Sequence, residues 1–395
     1  MAERRCHERS GHEPSGGIAI SAIETCDVFL CVAPVSEPRG PSSGWYDTRE
    51  SVLVRLRDTD GRAGWGEAAL RQGVVGATRE LGALLLGKDP QLSGSLLDGL
   101  TRTTADQWAV SALAVAVDDL RARQLGVGVA ALYGGRRRDS VRAYAASAGY
   151  HSTREPEELW PAEVGAAVAA GFGAVKFRIG KYSPDRELAI LASIRSGVGA
   201  GVQMMADGNG AYSVAQSVRV ASGLADLGFT WLEEPINRFR GNQRYPGYRD
   251  LSRAAGIAIA GGEGLERRTD FARLLEDGID IVQPDVAICG GIGELVFVAD
   301  LAALHGRACV PHAWGGAVMM AATLQVLAVI PEATEVDGSY GSLIEWDTFE
   351  NPMRTDLLAE PLTVTAGRVT IPSGPGLGVD VDEAAVRRLD QLGSS

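Results

Sequence analysis

Three acidic residues, Asp207, Glu233 and Glu263, follow three successive short apolar runs at 202–206, 230–232 and 257–260. A strand would carry each of them at its end. Three carboxylates brought to one place repel one another unless a cation neutralises them. A hard divalent cation with oxygen ligands fits such a set, and Mg2+ suits a site completed by water and a substrate carboxylate. Lys176 and Arg178 sit two apart in Ala-Val-Lys-Phe-Arg-Ile. On a strand that spacing puts both on one face. Beside a metal-bound carboxylate, Lys176 can hold enolate charge or move a proton. Asp285 follows Gln283-Pro284, and His312 follows Pro311. An aspartate on the next strand end fixes an imidazole's tautomer and raises its basicity, as in other orienting dyads. Glu345, before Trp346, can donate a hydrogen bond to the substrate if it is protonated. Each of these residues has a bland reading when taken alone, as a solvated loop acid or a satisfied core histidine. Their shared place at strand ends makes that reading poor.

The elements that must position them recur at nearly regular spacing. Apolar runs stand at 142–147, 174–179, 202–206, 230–232, 257–260, 279–282, 308–310 and 343–344, with helical stretches between them. Strand–helix alternation of this kind implies a parallel sheet with right-handed crossovers. Eight such units imply a (β/α)8 barrel, whose chemistry sits at the C-terminal strand ends. Ahead of it lies a different style. A strand over 18–35 leads into a loop at Pro38–Gly44, then an alternating strand at 50–57. Asp58-Thr59-Asp60-Gly61 supplies a hairpin turn before Gly64-Trp65-Gly66-Glu67, and helical patterns fill 75–133. A second hairpin, 362–371, is expected to return to this N-terminal unit. The expected division is a flexible tail over 1–17, an α+β domain over 18–138, the barrel over 139–350 and a returning C-terminal segment over 351–395.

The 395 residues include 38 Lys and Arg against 50 Asp and Glu, a net charge of -12. Such a surface repels phosphate backbones and anionic membranes, so neither nucleic acid nor membrane is an expected partner. Cys6, Cys26, Cys31, Cys289 and Cys309 are scattered, with no CxxC spacing. They indicate neither a zinc site nor a disulfide framework, and a reducing compartment, the cytoplasm, is the default. A homo-oligomer is the default assembly.

The ordered set AVKFRIG, MMADGNG, TWLEEP, AGGEGL, IVQPDVAICGG, VPHAWGG and LIEWD resembles the enolase superfamily, in its mandelate racemase/muconate lactonizing enzyme subgroup. GWGEA and PSGPGLGVDVD look like the same group's capping domain. The resemblance covers about residues 18–385. It implies a modified TIM barrel with an α+β capping domain formed from both chain ends. It implies Mg2+ on Asp207, Glu233 and Glu263, and Asp285–His312 as a general-base dyad. QPDVAICGG through HAWGG to EWDTFENPMR looks similar to galactarolactone cycloisomerases and acid-sugar dehydratases. One departure matters. The subgroup has Lys-x-Lys on the second strand, where this chain has Lys176-Phe177-Arg178. Arginine stays protonated, so Arg178 is a poor base and a good clamp for carboxylate or hydroxyl groups.

The expected activity is therefore abstraction of the proton α to a carboxylate, with a metal-stabilised enolate and β-elimination from an acid sugar or sugar lactone. The alternative is a racemase or epimerase of a 2-hydroxy acid or amino acid derivative, which shares the enolate step. A non-catalytic binding protein is the third reading. For the substrate's far end, Arg39, Trp45, Tyr46, Arg49 and Arg71-Gln72 offer polar groups on the N-terminal loops.

Overall fold

The computed structural model describes residues 21–103, 106–236, 245, 247–332 and 342–393; the expected tail over 1–17 lies outside them. Near the N-terminus, β1 (Ile23–Gly40), β2 (Tyr46–Asp58) and β3 (Ala63–Ala68) form an antiparallel sheet. The turn between β2 and β3 is built as its residues require: Asp58 Oδ1 accepts the amides of Asp60 and Arg62, and Gly61 takes φ 83°. Three helices follow, α1 (Val74–Ala83), α2 (Ser93–Thr103) and α3 (Gln107–Leu125). The sheet lies directly on α3. A Cβ at Gly66 would stand 1.9 Å from the carbonyl oxygen of Ala112, and one at Gly64 would stand 2.4 Å from that of Ala116. Glycine on the strand and alanine on the helix are what let the two backbones approach so closely.

Among the described residues, the remainder is built on eight parallel strands. They are β4 (Ser140–Ala146), β6 (Ala174–Arg178), β7 (Gln203–Asp207), β8 (Trp231–Glu233), β9 (Ala258–Gly261), β10 (Ile281–Val282), β11 (Ala308–Cys309) and β12 (Leu343–Asp347). A short strand, β5 (Tyr150–His151), and helix α4 (Pro156–Ala169) lie between β4 and β6. From β6 onward the described residues place one helix between each strand and the next: α5 (Pro184–Val198), α6 (Val214–Asp226), α7 (Tyr248–Ala254), α8 (Arg268–Glu276), α9 (Ile292–Leu304) and α10 (Ala317–Val329). The ladder runs β12–β4–β6–β7–β8–β9–β10–β11. Among the described residues no ladder joins β11 to β12. All eight expected runs hold a strand, with ends displaced by at most three residues. Tyr144, Ala146, Met205, Trp231, Ala260, Ile281 and Leu343 on these strands, with Val310 just after β11, pack together in one buried cluster, and Tyr144 meets Trp231 edge-on with ring centroids 5.7 Å apart.

Two expectations are corrected. The stretch from Pro38 was read as loop, yet β1 runs on to Gly40, because Arg39 and Gly40 find a partner in β5. The C-terminal hairpin, β13 (Val364–Thr365) and β14 (Arg368–Thr370), does not return to the N-terminal sheet; β14 pairs with β4 at Ser140–Arg142. The chain meets the N-terminal unit on both sides of this hairpin. Helix α11 (Pro352–Thr355) precedes the hairpin, and α12 (Glu383–Leu389) follows it and packs on β1. Asp390 accepts the amide of Leu30 at 2.9 Å, and Asp119 accepts that of Leu377 at 2.7 Å. The capping unit is thus made from both chain ends. No helix among the described residues is long and apolar enough to cross a membrane.

Candidate active site

Strand alternation and short connections bring all eight expected residues to the C-terminal ends of the barrel strands. Lys176 and Arg178 point inward from β6, and Asp207 and Glu233 close β7 and β8 as direct register partners. Glu263 follows β9 by two residues. Asp285 and His312 form an isolated parallel bridge beyond β10 and β11, and Glu345 lies within β12.

Side-chain contacts join them into three groups. Lys176 Nζ lies 2.8 Å from Glu233 Oε1 and 2.6 Å from Glu345 Oε1, with all three residues buried. Arg178 Nη1 lies 3.0 Å from Asn209 Oδ1 and 3.5 Å from Asp207 Oδ2. His312 Nδ1 lies 2.7 Å from Asp285 Oδ2, while its Nε2 lies 3.4 Å from Glu263 Oε2. The Ala287 amide donates to Asp285 Oδ1 at 2.7 Å, which fixes the carboxylate that orients the imidazole. An Asp285 carboxylate at Nδ1 leaves Nε2 as the working nitrogen. His312 and Glu263 keep 14% and 18% side-chain exposure, against 2% or less for Lys176, Glu233 and Glu345. The dyad therefore faces the mouth, and the lysine cluster lies beneath.

The electrostatics follow from burial and crowding. Burial raises Asp207, and Glu263 adds to the rise against the pull of Lys176 and Arg178. Glu233 is pushed to about 7, first by burial, with Asp207, Glu345 and Glu263 adding repulsion that Lys176 only partly offsets. Burial opposes charge on His312, but Glu263, the Asp285 hydrogen bond and Glu345 outweigh it and lift the imidazole to about 10. Burial would likewise raise Glu345, yet Lys176 and His312 pull it down to about 2. Glu345 so held is an anion paired with Lys176 at 2.6 Å, and it accepts the Ala313 amide at 3.2 Å; these surroundings do not favour the donor role expected of it if protonated.

A cation fits this donor set by charge and placement. Asp207, Glu233 and Glu263 come from three adjacent strands, all oxygen donors; Glu263 destabilises Asp207 as an anion, and Asp207 and Glu263 both destabilise Glu233. As the side chains stand, each acid leans on its own partner: Asp207 on Asn209, Glu233 on Lys176, Glu263 on His312. Accordingly, no group of three His, Cys, Asp or Glu side chains among the described residues is already gathered as ligands. Ligation requires those partners to yield.

Several participants went unread in the sequence. Gln283 Nε2 donates to Glu233 Oε2 at 2.7 Å, and Trp231 Nε1 does so at 3.3 Å. Trp314 lies with the Arg178 guanidinium 4.2 Å and the Arg49 guanidinium 5.1 Å from its ring centroid. The signal for Gln283 and Trp314 was the two-residue spacing that paired Lys176 with Arg178: each stands two places from a chosen residue at a strand end. Of the loop candidates, Tyr46 and Arg49 do reach this wall, and Arg49 is paired with Asp347 at 2.9 Å. Arg39 is instead tied to Glu163, and Arg71 to Asp106 and Glu266.

Known proteins share both halves of this arrangement. Residues 25–134 match the mandelate racemase/muconate lactonizing enzyme N-terminal domain, and residues 160–385 match the enolase C-terminal domain-like family. The D-galactarolactone cycloisomerase of Agrobacterium fabrum is 33% identical over 383 residues, covering 93% of this chain and 97% of that protein. The D-gluconate dehydratase of Thermoproteus tenax is 29% identical, covering 86% of this chain and 69% of that protein. A racemase from Streptomyces coelicolor, crystallised with bound magnesium, superposes with a TM-score of 0.81 at 25% identity, over 93% of this chain and 99% of that one.

Proposed function

The chain belongs to the enolase superfamily, in its mandelate racemase/muconate lactonizing enzyme group, and from that premise we propose that it is a Mg2+-dependent enzyme that removes the proton α to the carboxylate of an acid sugar or sugar lactone and then expels a β-oxygen. The observation that carries this reading is the Asp285–His312 pair beside Glu263, at the mouth of a strand-end array that also holds Asp207 and Glu233.

Asp207, Glu233 and Glu263 are the residues that would hold the metal. Bound there, magnesium supplies positive charge where the substrate carboxylate becomes electron-rich. His312 Nε2 takes the α-proton. The C–H pair moves into the carboxylate-conjugated C=C system, and on its return the β C–O bond breaks. His312, now imidazolium, gives its proton to the departing oxygen. Glu263 at 3.4 Å favours the protonated ring; a cation held by Glu263 would weaken that pull and leave His312 able to act as a base. Lys176, anchored between Glu233 and Glu345, places an ammonium beneath the developing charge. Arg178 stays protonated and positions substrate rather than accepting a proton.

The similarity to a cycloisomerase and to a sugar-acid dehydratase supports elimination over racemisation. Arg178 in place of a second lysine supports it independently, since a two-base racemase needs a base on each face. A small carboxylate partner, a cytoplasmic location and a homo-oligomer complete the reading; the free thiols Cys26, Cys31, Cys289 and Cys309 agree with a reducing compartment. Incubating acid sugars and their lactones with Mg2+ and identifying products by NMR in D2O tests it. An unsaturated or ketonised product is expected. Recovery of substrate with inverted, deuterated α-carbon and no eliminated product would move the assignment to a racemase.

A further inference from the structure

Glu67 closes the run Gly64-Trp65-Gly66-Glu67 on β3 of the capping domain, yet its carboxylate crosses to the barrel. Glu67 Oε1 accepts the Gly316 amide at 2.6 Å, and Oε2 accepts the Met319 amide at 2.9 Å. Ser51 Oγ donates to Oε1 at 2.6 Å from the same domain as Glu67. Gly316 is the N-cap of α10 and brings no side-chain cap of its own. A helix start normally finds its acceptor in its own Ser, Thr, Asp or Asn, which takes an amide two or three residues on. Here the acceptor is a buried carboxyl from another domain, placed at the positive end of the helix; burial raises Glu67, and the Ser51, Met319 and Gly316 hydrogen bonds pull it back. The fit is close: a Cβ at Gly316 would stand 2.7 and 3.0 Å from the two Glu67 oxygens and 3.0 Å from the Met353 carbonyl oxygen.

Three residues separate His312 from Gly316, and most of this segment is tied down. Asp285 holds His312, Glu345 accepts the Ala313 amide, and Asn351 Nδ2 donates to the Gly315 carbonyl at 3.2 Å. Those anchors belong to the barrel strand ends or to the segment just after β12. Glu67 is a hydrogen-bonding anchor that the capping domain supplies. The segment also carries Trp314, against which Arg178 and Arg49 stack.

We infer that Glu67 is a positioning residue: by capping α10 across the domain boundary it sets the placement of His312 and Trp314, so that the site is competent only when the capping domain is seated. The inference rests on His312 acting as the base. A displacement of an angstrom at a reacting group can cost about 100-fold in rate, while leaving binding nearly intact.

Glu67→Gln tests it, with Ser51→Ala as control and Gly316→Ala as a second route to the same contact. Three measurements on the full-length protein decide the matter: hydrogen–deuterium exchange over residues 311–320, Mg2+ affinity by calorimetry, and kcat and KM on the acid sugar that the wild type turns over. For both Glu67→Gln and Gly316→Ala, exchange at the backbone amides of position 316 and of Met319 should accelerate and kcat should fall about 10- to 100-fold, with KM and Mg2+ affinity within about threefold. Ser51→Ala should keep wild-type kcat within about twofold, since both backbone anchors survive. Faster exchange with unchanged kcat would overturn the inference, as would unchanged exchange in both variants, or loss of Mg2+ affinity in step with kcat. A wild type that turns over no acid sugar counts against the proposed function instead, and the exchange result still judges the anchor.

Discussion

His312 Nδ1 stands 2.7 Å from Asp285 Oδ2, and the two residues are joined by a backbone bridge as well. The imidazole is thereby given one tautomer and one direction. Replacing His312 with Asn should lower turnover by about 1,000-fold or more, with Mg2+ affinity retained, because asparagine cannot take the proton and is not among the proposed ligands. Asp285→Asn keeps the shape but favours the wrong tautomer, and should cost about 100- to 10,000-fold in kcat. Steady-state kinetics beside calorimetric Mg2+ titration check both. A His312→Asn protein with normal rates would remove the one-base mechanism.

Arg178 is paired with Asn209 and lies against Trp314. Arg178→Lys restores a side chain able to lose a proton, at the position where the subgroup's pattern has its second lysine. The expected outcome is new deuterium in recovered substrate with inverted configuration, together with a raised KM from the lost planar fork. Proton NMR in D2O reads both. If the wild type already returns inverted, labelled substrate, Arg178 is not what suppresses the second base.

Lys176 separates two buried carboxylates, Glu233 and Glu345, at 2.8 and 2.6 Å. Lys176→Met leaves them facing each other without a cation, and removing one partner of a buried pair costs about 3–5 kcal/mol. Urea unfolding in chelator should show that loss, and added Mg2+ should recover part of it by neutralising Glu233. Equal stability of variant and parent in chelator would mean that the lysine contributes no charge compensation.

Burial pushes the thiols of Cys26, Cys31 and Cys309 to about 12. At pH 8 the thiolate, which is the reactive form, is about one part in 10,000. These residues should resist iodoacetamide in the folded protein at pH 8, and react progressively as pH rises toward 12 or as urea unfolds the chain. Peptide mass spectrometry resolves them individually. Rapid labelling of Cys31 or Cys309 at pH 8 without denaturant would contradict their placement.

The placement of the candidate residues at the barrel strand ends was legible because a strand obeys a simple rule: residues two apart share a face, and polar residues ending apolar runs gather at one rim. Lys176, Arg178, Asp207, Glu233, Asp285 and His312 all follow it. Glu67 was not legible as a partner of Gly316, since 249 residues separate them and nothing local marks the pairing. The charge of Glu345 was left open for a related reason. Whether a buried carboxyl keeps its proton depends on the 2.6 Å to Lys176, a distance that sequence does not encode. The β13–β14 hairpin was recognised by its alternation, but its docking on β4 depends on which edge lies open near Ser140.

Calorimetric titration of the chelated protein with Mg2+, repeated on Asp207→Ala, Glu233→Ala and Glu263→Ala, tests the central claim most directly. One Mg2+ per chain is predicted for the parent, with binding lost or weakened by at least about tenfold in each variant. Binding that is absent from the parent, or undiminished when any of the three acids is removed, would contradict the account.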